Sequence, residues 1–185
     1  MAVPFDPHAA EREKWRAFPR VRPANIVPPG PGQRSVWDFP RPPRVEPVPL
    51  PVRIEFGGRV IARSDRALRV CETASPPGYY IPPADVDTDC VLPSARTSFC
   101  EWKGEARYWS VQAGGRMAKD AGWSYPEPYP EFEVIRDYYA FYPRRMDGCW
   151  VGDERVEPQP GFYYGGWITR DLVGPFKGVP GSDGW

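Results

Sequence analysis

Apolar and polar positions begin to alternate near Val48. Val52, Ile54 and Phe56 are separated by Arg53 and Glu55, a period of two that predicts a half-buried strand. Gly57-Gly58 follows as a tight turn, with Val60-Ile61-Ala62 as the returning strand. Leu68 to Glu72 reads as a third strand. Residues 105–113 and 116–124 read as a second hairpin around Gly114-Gly115, and Tyr138 to Tyr142 is strand-like. Cys149-Trp150-Val151 and Arg155-Val156 flank Gly152-Asp153 as another hairpin. Residues 74–94 carry several prolines and acids and read as a long loop, with a short strand at Tyr79-Tyr80-Ile81. Helical patterning is sparse. Residues 9–17 suit a short helix, and Glu131 to Arg136 another, with Pro130 tolerated in its first turn. The expected fold is mainly β: a compact single domain of antiparallel hairpins, in a twisted sheet or two sheets, with one short helix in the core.

Proline changes this picture at one end. Half of the 26 prolines fall in residues 1–51. Proline lacks the backbone donor and fixes φ, so the segment from Pro19 to Pro51 is expected to stay outside any sheet or helix. The chain therefore divides into an extended Pro-rich arm (1–44), a β-rich core (45–158) and a Gly- and aromatic-rich tail packing on the core (159–185). Trp15, Trp37 and Phe39 are the arm's candidate anchors. A draped arm is preferred over a partner-recognition segment.

Charge excludes some functions. The 24 basic and 24 acidic residues cancel, so no phosphate-backbone binding to nucleic acid is expected. No apolar run approaches 18 residues, so no membrane span is expected. The N-terminus has no apolar stretch of the secretory kind, which points to the cytoplasm and free thiols. The four cysteines, Cys71, Cys90, Cys100 and Cys149, form no C-x-x-C pair. His8 is the single histidine, so acid–base chemistry in the core falls to carboxylates, Lys, Tyr or Cys. Nothing in the pattern sets an oligomeric state.

The densest chemistry lies at Ser98 to Trp109 and at Asp120 to Pro126, where a thiol, a cation and carboxylates sit among aromatic rings. Lys103 precedes Gly104 and suits an anion, or an ion pair with Glu72, Glu101 or Asp120. Cys100 is read as packing in preference to a nucleophile activated by Lys103. Trp102, Tyr108 and Trp123 suit stacking on a planar ligand, with at least one of them core. Asp120, beside Ala121-Gly122, is the leading candidate for a buried acid or base. Glu72, Tyr80, Ser98 and Tyr125 complete the expected pocket, which takes a small molecule and needs no cofactor.

These same residues carry a resemblance. Arg69-Val70-Cys71-Glu72-Thr73, Tyr79-Tyr80-Ile81-Pro82, Cys100-Glu101-Trp102-Lys103-Gly104, Asp120-Ala121-Gly122-Trp123-Ser124-Tyr125-Pro126 and Ala140-Phe141-Tyr142 are similar to the bacterial family catalogued as domain of unknown function 427. That family also circulates under the label nucleotidyltransferase domain. The tail Phe162-Tyr163-Tyr164-Gly165-Gly166-Trp167-Ile168-Thr169 resembles a longer subgroup of it. The resemblance implies a compact β-rich unit and no established activity. The label has one physical counterpart, the spacing Asp85-Val86-Asp87, which under a nucleotidyltransferase reading would hold magnesium. Gly57-Gly58 stands too far ahead of Asp85 for the usual strand-turn arrangement, and Pro82-Pro83 keeps the acids out of a strand. Solvated turn acids are therefore preferred, with no metal expected.

Overall fold

The structure is a computed structural model and describes residues 8–19, 21–182, 184 and 185. Residues 1–7 of the expected arm fall outside these. The first element is α1 (Ala9–Ala17). Two short strands follow, β1 (Arg34–Ser35) and β2 (Arg44–Pro47), with a 3-10 turn at Val36–Asp38 between them. These strands correct the expectation that prolines keep this segment out of any sheet. Apart from Pro47, the prolines of this segment flank the pairing residues. Pro47 itself lies on a sheet edge, where a missing N–H leaves no ladder bond open.

β3 (Val52–Phe56) and β4 (Arg59–Ser64) form the first hairpin, and β5 (Leu68–Glu72) the next strand. The expected long loop is then replaced by β6 (Ser75–Ile81), two 3-10 turns and β7 (Val91–Cys100). The reason is local. β6 pairs with β5 as Val70↔Gly78 and Glu72↔Ser75, with a register shift between, so Pro76 and Pro77 fall where the ladder is already broken. β8 (Gly104–Ala113), β9 (Arg116–Ser124) and β10 (Tyr139–Phe141) follow. The helix expected at Glu131–Arg136 is a 3-10 stretch, Pro130–Ile135. Its buried residues, Phe132 and Ile135, stand three apart, the spacing that winding places on one side. β11 (Gly148–Val151), β12 (Glu154–Arg155), β13 (Glu157–Pro158), β14 (Trp167–Ile168) and β15 (Leu172–Val173) close the chain.

A seven-stranded sheet runs β2-β5-β6-β10-β9-β8-β7, and a four-stranded sheet runs β12-β11-β3-β4. The two share one core, in which Val52, Ile54 and Ile61 meet Tyr79, Ile81, Val111 and Phe141. Their hairpin turns also meet: a Cβ on Gly57 would lie 2.2 Å from the Ala113 carbonyl oxygen, and one on Gly114 2.2 Å from that of Gly57. Glycine is required at both for this close approach and for their positive φ. Val36, Trp37 and Phe39 of the arm pack with Cys71, Ala74 and Leu172 in a separate cluster, and β1 pairs with β15. Arm and tail thus meet each other along the edge of the larger sheet.

Candidate functional site

The second face of the seven-stranded sheet has a different composition. Val70, Tyr80, Ala106, Tyr108, Trp123, Ala140 and Tyr142 alternate with residues of the shared core and form a layer with Trp102, Tyr125, Phe132 and Ile135. Small residues at Gly78 and Ala106 leave room between the rings. The result is a cleft of about 470 Å³ walled by Tyr80, Tyr108, Trp123, Tyr125 and Tyr142. The end of β7 and the turn into β8 line one side through Ser98, Cys100 and Lys103. The arm adds Trp15 and Arg41, and the tail adds Gln159, Tyr163, Tyr164, Gly165, Gly166 and Lys177. Gly165 lets the tail approach: a Cβ there would lie 2.5 Å from the Trp123 ring.

Lys103 is a buried charged residue of this cleft, 8 % exposed. Its ammonium lies 5.7 Å from the Tyr125 ring centre and 5.9 Å from that of Phe132, a partial compensation for lost water. Burial pushes its pKa down, while Cys100, Tyr80 and Glu72 push it up, with a net upward shift. The expected ion pair is absent: no carboxylate of the described residues lies within ion-pair distance of Lys103. Glu72 is engaged elsewhere. It accepts from Trp102 Nε1 at 3.2 Å and faces Arg41 Nε at 3.4 Å. Arg41, from the arm, takes the place the sequence reading gave to Lys103.

The hydroxyls form a linked set. Trp123 Nε1 donates to the Tyr80 hydroxyl at 3.4 Å, and Ser98 Oγ and the Tyr108 hydroxyl lie 3.0 Å apart. The Tyr80 and Tyr125 rings lie 6.4 Å apart, tilted by 37°. Burial raises the pKa of both tyrosines, so both stay protonated at neutral pH.

Of the residues singled out in the sequence, Glu72, Tyr80, Ser98, Cys100, Lys103, Tyr108, Trp123 and Tyr125 converge on the cleft. Trp102 does not line it. That ring is buried behind the wall and holds Glu72. Asp120 does not line it either, which corrects its placement beside Lys103. Its carboxylate accepts from Ser94 Oγ, and its N–H donates to Ser110 Oγ. Asp120 has φ 51° and sits where the β8–β9 register shifts. Such a bulge breaks the two-residue alternation on which the sequence argument rested. Asp85 and Asp87 lie outside the cleft. Asp85 accepts from Ser64 Oγ and Arg66, both at 2.6 Å, and Asp87 from Arg59 at 2.5 Å. Among the described residues no three His, Cys, Asp or Glu side chains are grouped to hold a metal ion. No helix of these residues is long and apolar enough to cross a membrane.

The sequence reading missed Trp15, Arg41, Tyr142, Gln159, Tyr163, Tyr164 and Lys177. Tyr142 was reachable, since it follows Ala140 on the same face of a strand-like run. The arm and tail residues carry no such periodicity. Comparison with curated proteins gives no match. A family model described as Domain of unknown function (DUF427) matches residues 44–152, more than half of the chain, and the chain belongs to that family.

Proposed function

We propose that the cleft binds a small planar organic anion, with the anionic group at Lys103 and the ring among Tyr80, Tyr108, Trp123 and Tyr142. One observation carries this reading: a buried ammonium on the wall of an aromatic cleft, with no carboxylate of the described residues paired to it. A buried charge is costly unless paired, and an incoming carboxylate would supply the partner. The cleft volume lies within the ordinary range for small-molecule sites.

The other readings have less support. A nucleotidyltransferase using Asp85, Asp87 and magnesium would have to release both carboxylates from their arginines. An arm that captures a partner would have to give up the packing of Trp37 and Phe39. Thermal shift with benzoate, 4-hydroxybenzoate and their amides tests the proposal. The carboxylates are expected to raise Tm and the amides to leave it unchanged, and Lys103→Met to abolish the response. Equal responses to acid and amide, or equal responses of wild type and variant, overturn it.

A further inference from the structure

Several polar groups of the cleft are already matched by the protein. Glu72 takes Trp102 and Arg41. The Gln159 side chain accepts from the Gly166 N–H and donates to the Lys177 carbonyl. The Tyr142 hydroxyl donates to the Tyr163 carbonyl at 3.4 Å. Ser98 and Tyr108 differ. Their hydroxyls lie 3.0 Å apart, and either can be the donor. One proton makes that bond. The other proton, with lone pairs on both oxygens, is left for a third group. The pair thus offers a donor and acceptors at the same place. The Arg96 guanidinium packs 4.2 Å from the Tyr108 ring centre and holds that ring against the wall.

Sheet register sets this pair in line with Lys103. Ser98 pairs with Ala106, Cys100 with Gly104, and Tyr108 with Trp123. Gly104, Ala106 and Tyr108 are alternate residues of β8 and share one face. Lys103 immediately precedes Gly104, and its ammonium stands near the Tyr125 and Phe132 rings. Ala106 lies between the two polar stations, and its methyl keeps the floor low there. Trp123 and Tyr125 wall the same space. An aromatic ring resting on Ala106 would have the ammonium toward one end and the hydroxyl pair toward the other. A bare ring would strip water from the spare proton and return no hydrogen bond, which is the costly case for a polar group.

We propose that the ligand of this cleft is a hydroxylated aromatic carboxylate, with its carboxylate at Lys103 and its ring hydroxyl held by Ser98 and Tyr108. The proposal rests on the anion reading above and adds the second polar group. The choice of a hydroxyl follows from the pair's own chemistry. A second carboxylate can only accept and an ammonium only donate. A hydroxyl does both, so it completes the pair whichever way the Ser98–Tyr108 bond points.

Calorimetric titration of the full chain with benzoate, 3- and 4-hydroxybenzoate and the two matching methoxybenzoates tests the proposal. One hydroxybenzoate is expected to bind about tenfold more tightly than benzoate, and its methoxy counterpart to lose that gain. In Ser98→Ala the ratio of hydroxybenzoate to benzoate affinity, both measured on the variant, is expected to fall toward one. Equal affinity for benzoate and both hydroxybenzoates overturns the proposal, and so does a preference that survives unchanged in Ser98→Ala. Should Ser98→Ala fail to fold, Tyr108→Phe decides in its place: a lost preference supports the proposal and a retained one overturns it. Benzoate binding without a hydroxyl gain removes the second contact alone. No response to any of these acids removes the anion reading and this proposal together.

Discussion

The two faces of the seven-stranded sheet are made by alternate residues of the same strands, yet they differ in kind. Toward the smaller sheet point Ile81, Val111 and Phe141, packed with Val52, Ile54 and Ile61. Toward the cleft point Tyr80, Tyr108, Trp123 and Tyr142. The first face is apolar and closed, and its role is to remove area from water. The second presents rings with polar tips around an ammonium. One set of strands thus supports stability on one side and recognition on the other. Neighbouring residues are therefore expected to respond differently to substitution.

The adjacent pair Phe141 and Tyr142 gives the largest contrast. Phe141→Ala opens a cavity in the shared core and is expected to cost about 3–5 kcal/mol by chemical denaturation. Tyr142→Phe removes one hydroxyl and is expected to cost about 1 kcal/mol or less. Equal losses would show that the cleft face is as much core as the other. Next comes Gly165→Ala, whose methyl would meet the Trp123 ring. Overpacking of about 1–3 kcal/mol is expected, with loss of benzoate stabilisation as the tail lifts from the cleft. Lys103→Met should separate the faces most cleanly. Removing a buried ammonium with no carboxylate partner among the described residues should leave stability unchanged or raise it by about 1 kcal/mol, while the anion response disappears.

The smallest effect lies at the sheet edge, away from both faces. Glu46 on β2 accepts from Arg34, Arg44 and Arg69. The Arg34 hydrogen bonds, acting against partial burial, lower its pKa from 4.5 to about 2. A depressed carboxylate stabilises the fold above its unfolded pKa and loses that contribution as pH falls through the folded value. Glu46→Gln should accordingly flatten the acid dependence of stability between pH 4.5 and about 2, as followed by denaturation at stepped pH. The partial exposure of the group keeps the effect modest.

Much of the sheet was legible because period-two alternation reports directly on a half-buried strand, as at Val52 to Phe56 and at residues 105–113. Legibility failed where pairing overrode composition. Pro76 and Pro77 looked like loop residues, yet they sit at a register break inside β6. Asp120 looked like a cleft acid, yet a bulge takes it out of the alternation. Local sequence carries a residue's preference, and whether a neighbouring strand leaves a gap for it is settled by pairing across the sheet.

Read alone, then, the sequence determined the hairpins, the family resemblance and the cluster of rings and polar groups around Lys103. These properties are local: alternation, turn glycines and side-chain chemistry within a few residues. The tertiary structure decided which carboxylate met which cation. Arg41 arrives from the arm to take Glu72, leaving Lys103 without a carboxylate partner among the described residues, and the tail from Gln159 to Gly166 lines one side of the cleft. Those partners lie far apart in the chain and share no periodicity with the strands they cover. Only the folded path of arm and tail along the sheet brings them together.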